Sequence, residues 1–167
     1  MIKQYRNSYN LFDKDNTTVG WTSSTGTTTA DTFGAQFKFT LSGQTKITIK
    51  ANATLPHSYS LCWYNDSDTF ISRTHYATAA MGQANTANVP ANAASCVFQV
   101  SCGSSPSDVM TQEMLNSYNL MLNSGKYAYP YESYNTIGWY TLGYRVYSSG
   151  AWGIIASDKK YSGGSWG

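Results

Sequence analysis

Charge is scarce in this chain. Asp, Glu, Lys and Arg make up 12% of its 167 residues, about half their usual share in a soluble domain. The formal net charge of +2 has no Lys/Arg run behind it, so the basic footprint of a DNA or RNA binder is missing, although an acidic polymer is not excluded. Long apolar runs are missing too. Nothing approaches the roughly 20 residues needed to cross a bilayer, and the opening MIKQYRNSYN has no apolar signal-peptide core. A soluble chain, with no membrane insertion and no export signal of its own, is the expectation. Three cysteines, Cys62, Cys96 and Cys102, cannot all pair, and none sits in a CxxC or Cys/His metal pattern. Each lies in a strand-like run, where a thiol behaves as a small hydrophobe. Buried thiols are the favoured reading, with one internal disulfide as the alternative.

Catalytic signatures are equally sparse. His57 and His75 have no Gly-x-Ser-x-Gly or reactive-cysteine context, and phosphate-loop and dinucleotide glycine patterns are absent. Glycoside hydrolysis uses two positioned carboxylates, and nothing marks a pair among the nine acids. No enzymatic activity is expected, and no cofactor. Asp66-x-Asp68 could aim two carboxylates at a structural calcium, but the rest of an EF-hand loop is lacking.

What the chain has is aromatic and small polar residues. Aromatics reach 15%, with 14 Tyr and 5 Trp, set among Thr, Ser, Asn and Gly as in extracellular β proteins. Phe37–Leu41 and Lys46–Lys50 each alternate apolar with polar, and Ser42-Gly43-Gln44 between them reads as a hairpin-type turn. Leu61–Tyr64 runs into the turn-forming Asn65–Asp68, and a strand resumes at Phe70. Cys96, Phe98, Val100 and Cys102 share one face of a half-buried antiparallel strand, with Val97, Gln99 and Ser101 on the other. Thr74 to Ala94 reads as a long loop or pair of loops. One helical candidate, Ser107 to about Asn116, has Ser107 as cap and Val109, Met110 and Met114 on one face.

Toward the C-terminus, Tyr127, Tyr129 and Tyr131 alternate, and strand periodicity puts their rings on one face. Two similar segments close the chain, YSSGAWG at 147–153 and YSGGSWG at 161–167. In each, a central glycine supports a turn that places Tyr and Trp on facing arms of a hairpin. Many short strands with almost no helix predict an all-β fold, first of all a jelly-roll β-sandwich over residues 1–140 with a C-terminal hairpin appendage over 141–167.

Three ordered segments carry a family resemblance. NLFDK (10–14) is followed by Gly20-Trp21. WYNDSDTFIS (63–72) is similar to an aromatic-Tyr-Asp-turn-Phe-Ile-Ser strand pair, with PANA (90–93) leading into the next strand. MLNSG (121–125) and YPYESY (129–134) look like a closing Leu-Glu-x-Gly then Pro-Tyr-Glu-Pro-Tyr. Together they span about residues 10 to 135 and resemble a carbohydrate-binding-like module of tail and baseplate proteins from phages of Gram-positive bacteria, of the baseplate accessory or distal-tail type. Ser133 replaces the family's second proline, and Val97 stands where a basic residue is common. The resemblance implies a jelly roll on the virion tail, baseplate or tail tip. Its implied partners are the cell-wall polysaccharide of a Gram-positive host and other tail proteins. It also implies that the tyrosine face at 127–131 is structural, the final strand and exit of the sandwich.

Saccharide recognition needs an aromatic face for the C–H surface of a pyranose and planar polar groups for its hydroxyls. Trp21 sits beside Thr and Ser in a loop-like stretch and is the exposed-tryptophan candidate. Trp63 shares a face with Leu61 and reads as core, whereas Tyr64 points the other way. Tyr64, Asn65 and Asp66, with His75, Tyr76, Gln83 and Asn85 on the long loop, complete the candidate site. The acids and Asn65 read equally well as a solvated turn. The expected function is non-catalytic adhesion to host saccharide, the alternative being a structural tail module with no sugar site.

Overall fold

The computed structural model describes residues 3–7, 9–51, 56–77, 82–129, 131 and 133–134, and the backbone of strands within 137–166. The chain divides into two compact units, one of Tyr9–Asn135 and one made of Met1–Ser8 with Thr136–Gly167. Strand β1 (Lys3–Asn7) belongs to the smaller unit. Along the larger unit run β2 (Thr18–Val19), β3 (Trp21–Thr22), β4 (Thr28–Thr29), β5 (Gly34–Thr40), β6 (Lys46–Lys50), β7 (Ser58–Tyr64), β8 (Phe70–Tyr76), β9 (Asn85–Asn88), β10 (Ser95–Ser101), a short helix α1 (Gln112–Ser117) and β11 (Met121–Ser124).

The larger unit is an all-β sandwich. A five-stranded antiparallel sheet, ordered β2-β5-β10-β7-β8, faces a three-stranded one, β11-β6-β9. Period-two alternation explains the core directly. Phe37 on β5, Phe98 and Val100 on β10, and Tyr59, Leu61 and Trp63 on β7 turn inward to meet Ile47 and Ile49 of β6. Phe12 closes the cluster edge-on to Phe37 and Phe98, at centroid distances of 5.9 and 5.1 Å. The buried indole of Trp63 donates from Nε1 to Thr74 Oγ1 at 3.2 Å, so its one polar atom has a partner.

Asn10 ties the start of this unit to its last strand. Its Nδ2 donates to the Leu120 carbonyl at 2.9 Å, and its Oδ1 accepts from the backbone of Phe12 and Leu122 at 3.1 and 3.0 Å. The NLFDK and MLNSG segments therefore meet in space, joined by a buried side chain that replaces a strand partner.

Several local expectations change. Ser42-Gly43-Gln44 is not a hairpin, because β5 and β6 lie in different sheets and the turn carries the chain between them. Gly43 has φ +86° and Gln44 Oε1 accepts from Ser42 N at 2.6 Å. Such turn chemistry serves a corner as well as a hairpin. The β10 strand is buried on both faces rather than one, with Gln99 and Ser101 fully enclosed. The stretch 74–94 holds the end of β8 and all of β9, since Ala87 and its neighbours pair with β6. The helix starts at Gln112, capped by Thr111, whose Oγ1 accepts from Met114 N at 3.2 Å. It buries Leu115 and leaves Met114 exposed, and Val109, which lies ahead of the helix, is exposed too. Beyond β11 the alternating tyrosines do not form a strand: Tyr129 packs on Tyr9 at 4.9 Å, and Tyr127 is 67% exposed.

In the smaller unit β1 pairs antiparallel with β12 (Ile137–Thr141). Then β13 (Tyr144–Ser148) pairs with β14 (Ala151–Ile155), and β15 (Tyr161–Ser162) with β16 (Ser165–Trp166). The register sets Tyr147 opposite Trp152 and Tyr161 opposite Trp166, as the two repeats require.

All three cysteines are free thiols. Burial pushes Cys62 up to about 12 and Cys96 well above its ordinary value, which removes the reactive thiolate. In native protein at pH 8 a thiol reagent should therefore label half-buried Cys102 first, with Cys62 and Cys96 reacting only after denaturation. Rapid labelling of all three in the native state would contradict this packing.

Candidate functional site

The outer face of the five-stranded sheet carries polar side chains that water does not reach. Gln36, Gln99, Ser58, Ser60 and Ser101 are all buried there, and Gln36 and Gln99 hold the β3–β4 hairpin against the sheet. Thr22 is the point of attachment. Its N–H donates to Gln99 Oε1 at 2.8 Å and its carbonyl accepts from Gln99 Nε2 at 2.9 Å, so one side-chain amide imitates a strand partner. Gln36 Nε2 donates to Gln99 Oε1 at 2.9 Å and to Thr22 Oγ1 at 2.8 Å. Arg73 Nη1 adds a bond to the Thr22 carbonyl at 3.1 Å. Gly34 permits the close approach: a Cβ there would lie 2.4 Å from the Gly20 carbonyl oxygen and 3.2 Å from Trp21 Cε3.

Beside the docked hairpin the same face opens into a cleft of about 230 Å³. Trp21 and Phe33 form its aromatic wall, with ring centroids 5.9 Å apart and a 55° tilt. Ser58 and Ser101 make the floor, their hydroxyls bonded to each other at 2.7 Å. Arg73, His75 and His57 also line it, with Gly103 and Ser104. The Ser104–Ser105 backbone is pinned by Asp108, whose Oδ2 accepts from Ser104 N and Ser105 N at 3.1 and 2.9 Å. The volume lies below the roughly 300–1,000 Å³ of drug-sized pockets, which suits a ring-sized group more than an extended cofactor.

The electrostatics are one-sided. His75 Nδ1 and Ser60 Oγ share a hydrogen bond of 2.9 Å that sets the ring's orientation. Burial first, then the charges of Arg73 and His57, lower the His75 pKa from its ordinary 6.5. Cys62, also on the outer face of β7 and opposite Arg73, remains a neutral thiol.

The sequence candidates separate into three places. Trp21 and His75 line the cleft. Tyr64, Asn65 and Asp66 lie at the other end of β7, about 20 Å along the strand from Ser58. There Asn65 Oδ1 accepts from Ser67 N and Thr69 N, which builds the β7–β8 turn. Tyr64 packs edge-on to Phe70 at 5.7 Å beneath the Lys38 ammonium, and Asp66 accepts from Ser67 Oγ at 3.3 Å. Asp68 pairs with Lys38, and among the described residues no group of three His, Cys, Asp or Glu side chains could hold a metal ion. Tyr76 and Asn85 belong to the core side, where both meet Tyr59: Tyr76 through its ring at 5.4 Å and Asn85 through a hydrogen bond to the hydroxyl. Gln83 is exposed, and its carbonyl accepts from Asn85 Nδ2 at 3.2 Å.

The sequence did not mark Arg73, Phe33 or Ser104 for the site, and His57 was weighed only for nucleophilic catalysis. Arg73-x-His75 within a strand was the usable signal, because that spacing puts both on one face. Comparison of the chain with family models, with curated proteins and with solved structures gives no match in any of the three.

Because the hairpin's seat leaves no room at position 34, Gly34→Ala should lower stability by about 1–3 kcal/mol in chemical denaturation. A variant as stable as the parent would mean that the hairpin does not sit this close to the sheet.

Proposed function

We propose that the larger unit is a non-catalytic carbohydrate-binding module of jelly-roll type, part of a phage tail or baseplate accessory protein, that binds cell-wall saccharide of a Gram-positive host and aids adsorption. The observation that carries this reading is the cleft beside Trp21. It combines an aromatic wall with hydroxyl, imidazole and guanidinium groups, the two ingredients that saccharide recognition requires. The meeting of the NLFDK and MLNSG segments at Asn10 is further support, since both belong to the ordered set that resembles the tail module.

In this reading a pyranose ring lies against Trp21 while its hydroxyls bond to the polar side of the cleft. A shallow site of this size binds weakly, and many copies on one virion convert modest affinity into firm attachment. A second reading, an assembly module without a sugar site, draws on the exposed rings of Tyr127, Tyr131 and Tyr134, which would suit docking to another tail protein.

Binding of labelled protein to intact Gram-positive cells, with free wall polysaccharide as competitor, separates the two. Trp21→Ala should weaken cell binding about tenfold or more, equivalent to roughly 1.4 kcal/mol, while Asp66→Ala, in the exposed β7–β8 turn, leaves it unchanged. Absence of any saturable, polysaccharide-competed cell binding by the parent protein would favour assembly.

A further inference from the structure

The cleft has more positive character than a neutral sugar requires. Arg73 is half-buried, and among the described residues no carboxylate pairs with it. One of its five N–H donors goes to the Thr22 carbonyl, leaving donors for a ligand. His75 stands two residues along β8 on the same face, and His57 enters from the head of β7. The acids on adjoining loops are already engaged: Asp108 caps the Ser104–Ser105 backbone and Asp31 accepts from the Thr29 hydroxyl. The neighbouring stretches 52–55 (NATL) and 78–81 (TAAM) contain no ionisable side chain. Holding an uncompensated guanidinium at a cleft wall is costly unless an anion completes it, and its fork geometry matches carboxylate and phosphate oxygens.

We propose that the bound saccharide carries an oxyanion substituent, a carboxylate or a phosphodiester, which Arg73 grips with His57 and His75 while the sugar ring rests against Trp21. This rests on the reading of the cleft as a saccharide site. It assigns a ligand class, anionic glycans, to a chain whose overall charge is almost balanced. The selectivity is local to the cleft.

His75 gives the proposal a pH signature. His75 is held below 6.5 by burial, Arg73 and His57. A bound anion opposes the last two effects, so binding takes up protons. Affinity for the anion therefore rises as the pH falls, and a carboxylate or phosphodiester remains ionised above about pH 5. A neutral sugar has no such dependence through His75. The other titratable groups on the packed elements are Cys62, which burial keeps a neutral thiol, and Asp108 and Asp31, whose oxygens are held by the Ser104–Ser105 backbone and the Thr29 hydroxyl.

The test is calorimetric titration at pH 5.5 and pH 8.0 with three probes: a glucuronate-containing oligosaccharide, its carboxyl-reduced neutral counterpart, and a glycerol phosphate oligomer. The parent protein should bind at least one anionic probe tenfold or more tighter than the neutral one at pH 5.5, with a smaller preference at pH 8.0. Which anionic probe is preferred identifies the oxyanion. Arg73→Gln, which retains a donor for Thr22, should lose the preference. A His57→Gln, His75→Gln double variant, which leaves the hairpin seat intact, should lose the pH dependence and keep a reduced preference. Equal affinity for the glucuronate probe and its neutral counterpart, with no gain from phosphate, would overturn the proposal and leave the saccharide reading standing. Failure of all three probes to bind would overturn both.

Discussion

Thr22 turns its backbone N–H and C=O toward a sheet that has no free strand edge to receive them, and the side-chain amide of Gln99 accepts the one and donates to the other. A two-residue strand could not be buried there otherwise, since each unpaired backbone group would cost about 1–3 kcal/mol. The whole outer surface of the five-stranded sheet follows from this arrangement. Gln36 completes the amide pair, Arg73 is drawn across to the same carbonyl, and Trp21, next in the chain, is held against Gly34. The hairpin covers only part of the sheet. The uncovered part becomes a cleft because a wall now stands beside it.

This order of causes links scaffold to site. The apolar face of the sheet is ordinary sandwich core, in which Phe98, Leu61 and Trp63 supply burial worth about 1.5–3 kcal/mol each. The polar face is costlier to bury and therefore more specific. A network in which every amide finds its partners fixes one hairpin position rather than several. A preformed aromatic wall loses little freedom when a ligand arrives, which suits a weak, repeated binding site. Arg73 and His75 of the basic side stand on β8, paired along β7 opposite Cys62 and Ser60, and the bonds of Arg73 to the Thr22 carbonyl and of His75 to Ser60 set their orientation before any ligand comes.

Much of the sandwich was legible in the sequence. Alternation in Phe37–Leu41, Lys46–Lys50 and Cys96–Val100 marked strands and their inward faces, and the Trp63 and Tyr64 directions followed from the same rule. Partner choice was not legible. Ser42-Gly43-Gln44 has the chemistry of a tight turn whether the next strand returns beside β5 or crosses to the opposite sheet. The burial of Gln99 depends on a hairpin 77 residues earlier in the chain, a relation that no local pattern records. The candidate site divided for the same reason. Trp21 and His75 come together because their elements cross at one end of the sheet, whereas Asn65 and Asp66, also polar and turn-like, spend their oxygens on the β7–β8 turn and its neighbours. The tyrosines at 127–131 alternate without forming a strand, since β11 has already ended at Ser124.

The central claim is that ligand meets this protein in the cleft beside the β3–β4 hairpin. Two-dimensional amide NMR of labelled protein, titrated with wall polysaccharide fragments from a susceptible Gram-positive host, tests it most directly. The account predicts saturable shifts clustered at Trp21, Ser58, Arg73, His75 and Ser104, with the Asn65–Thr69 turn unmoved. Shifts confined to that turn or to the tyrosines beyond β11, with the cleft silent, would contradict it.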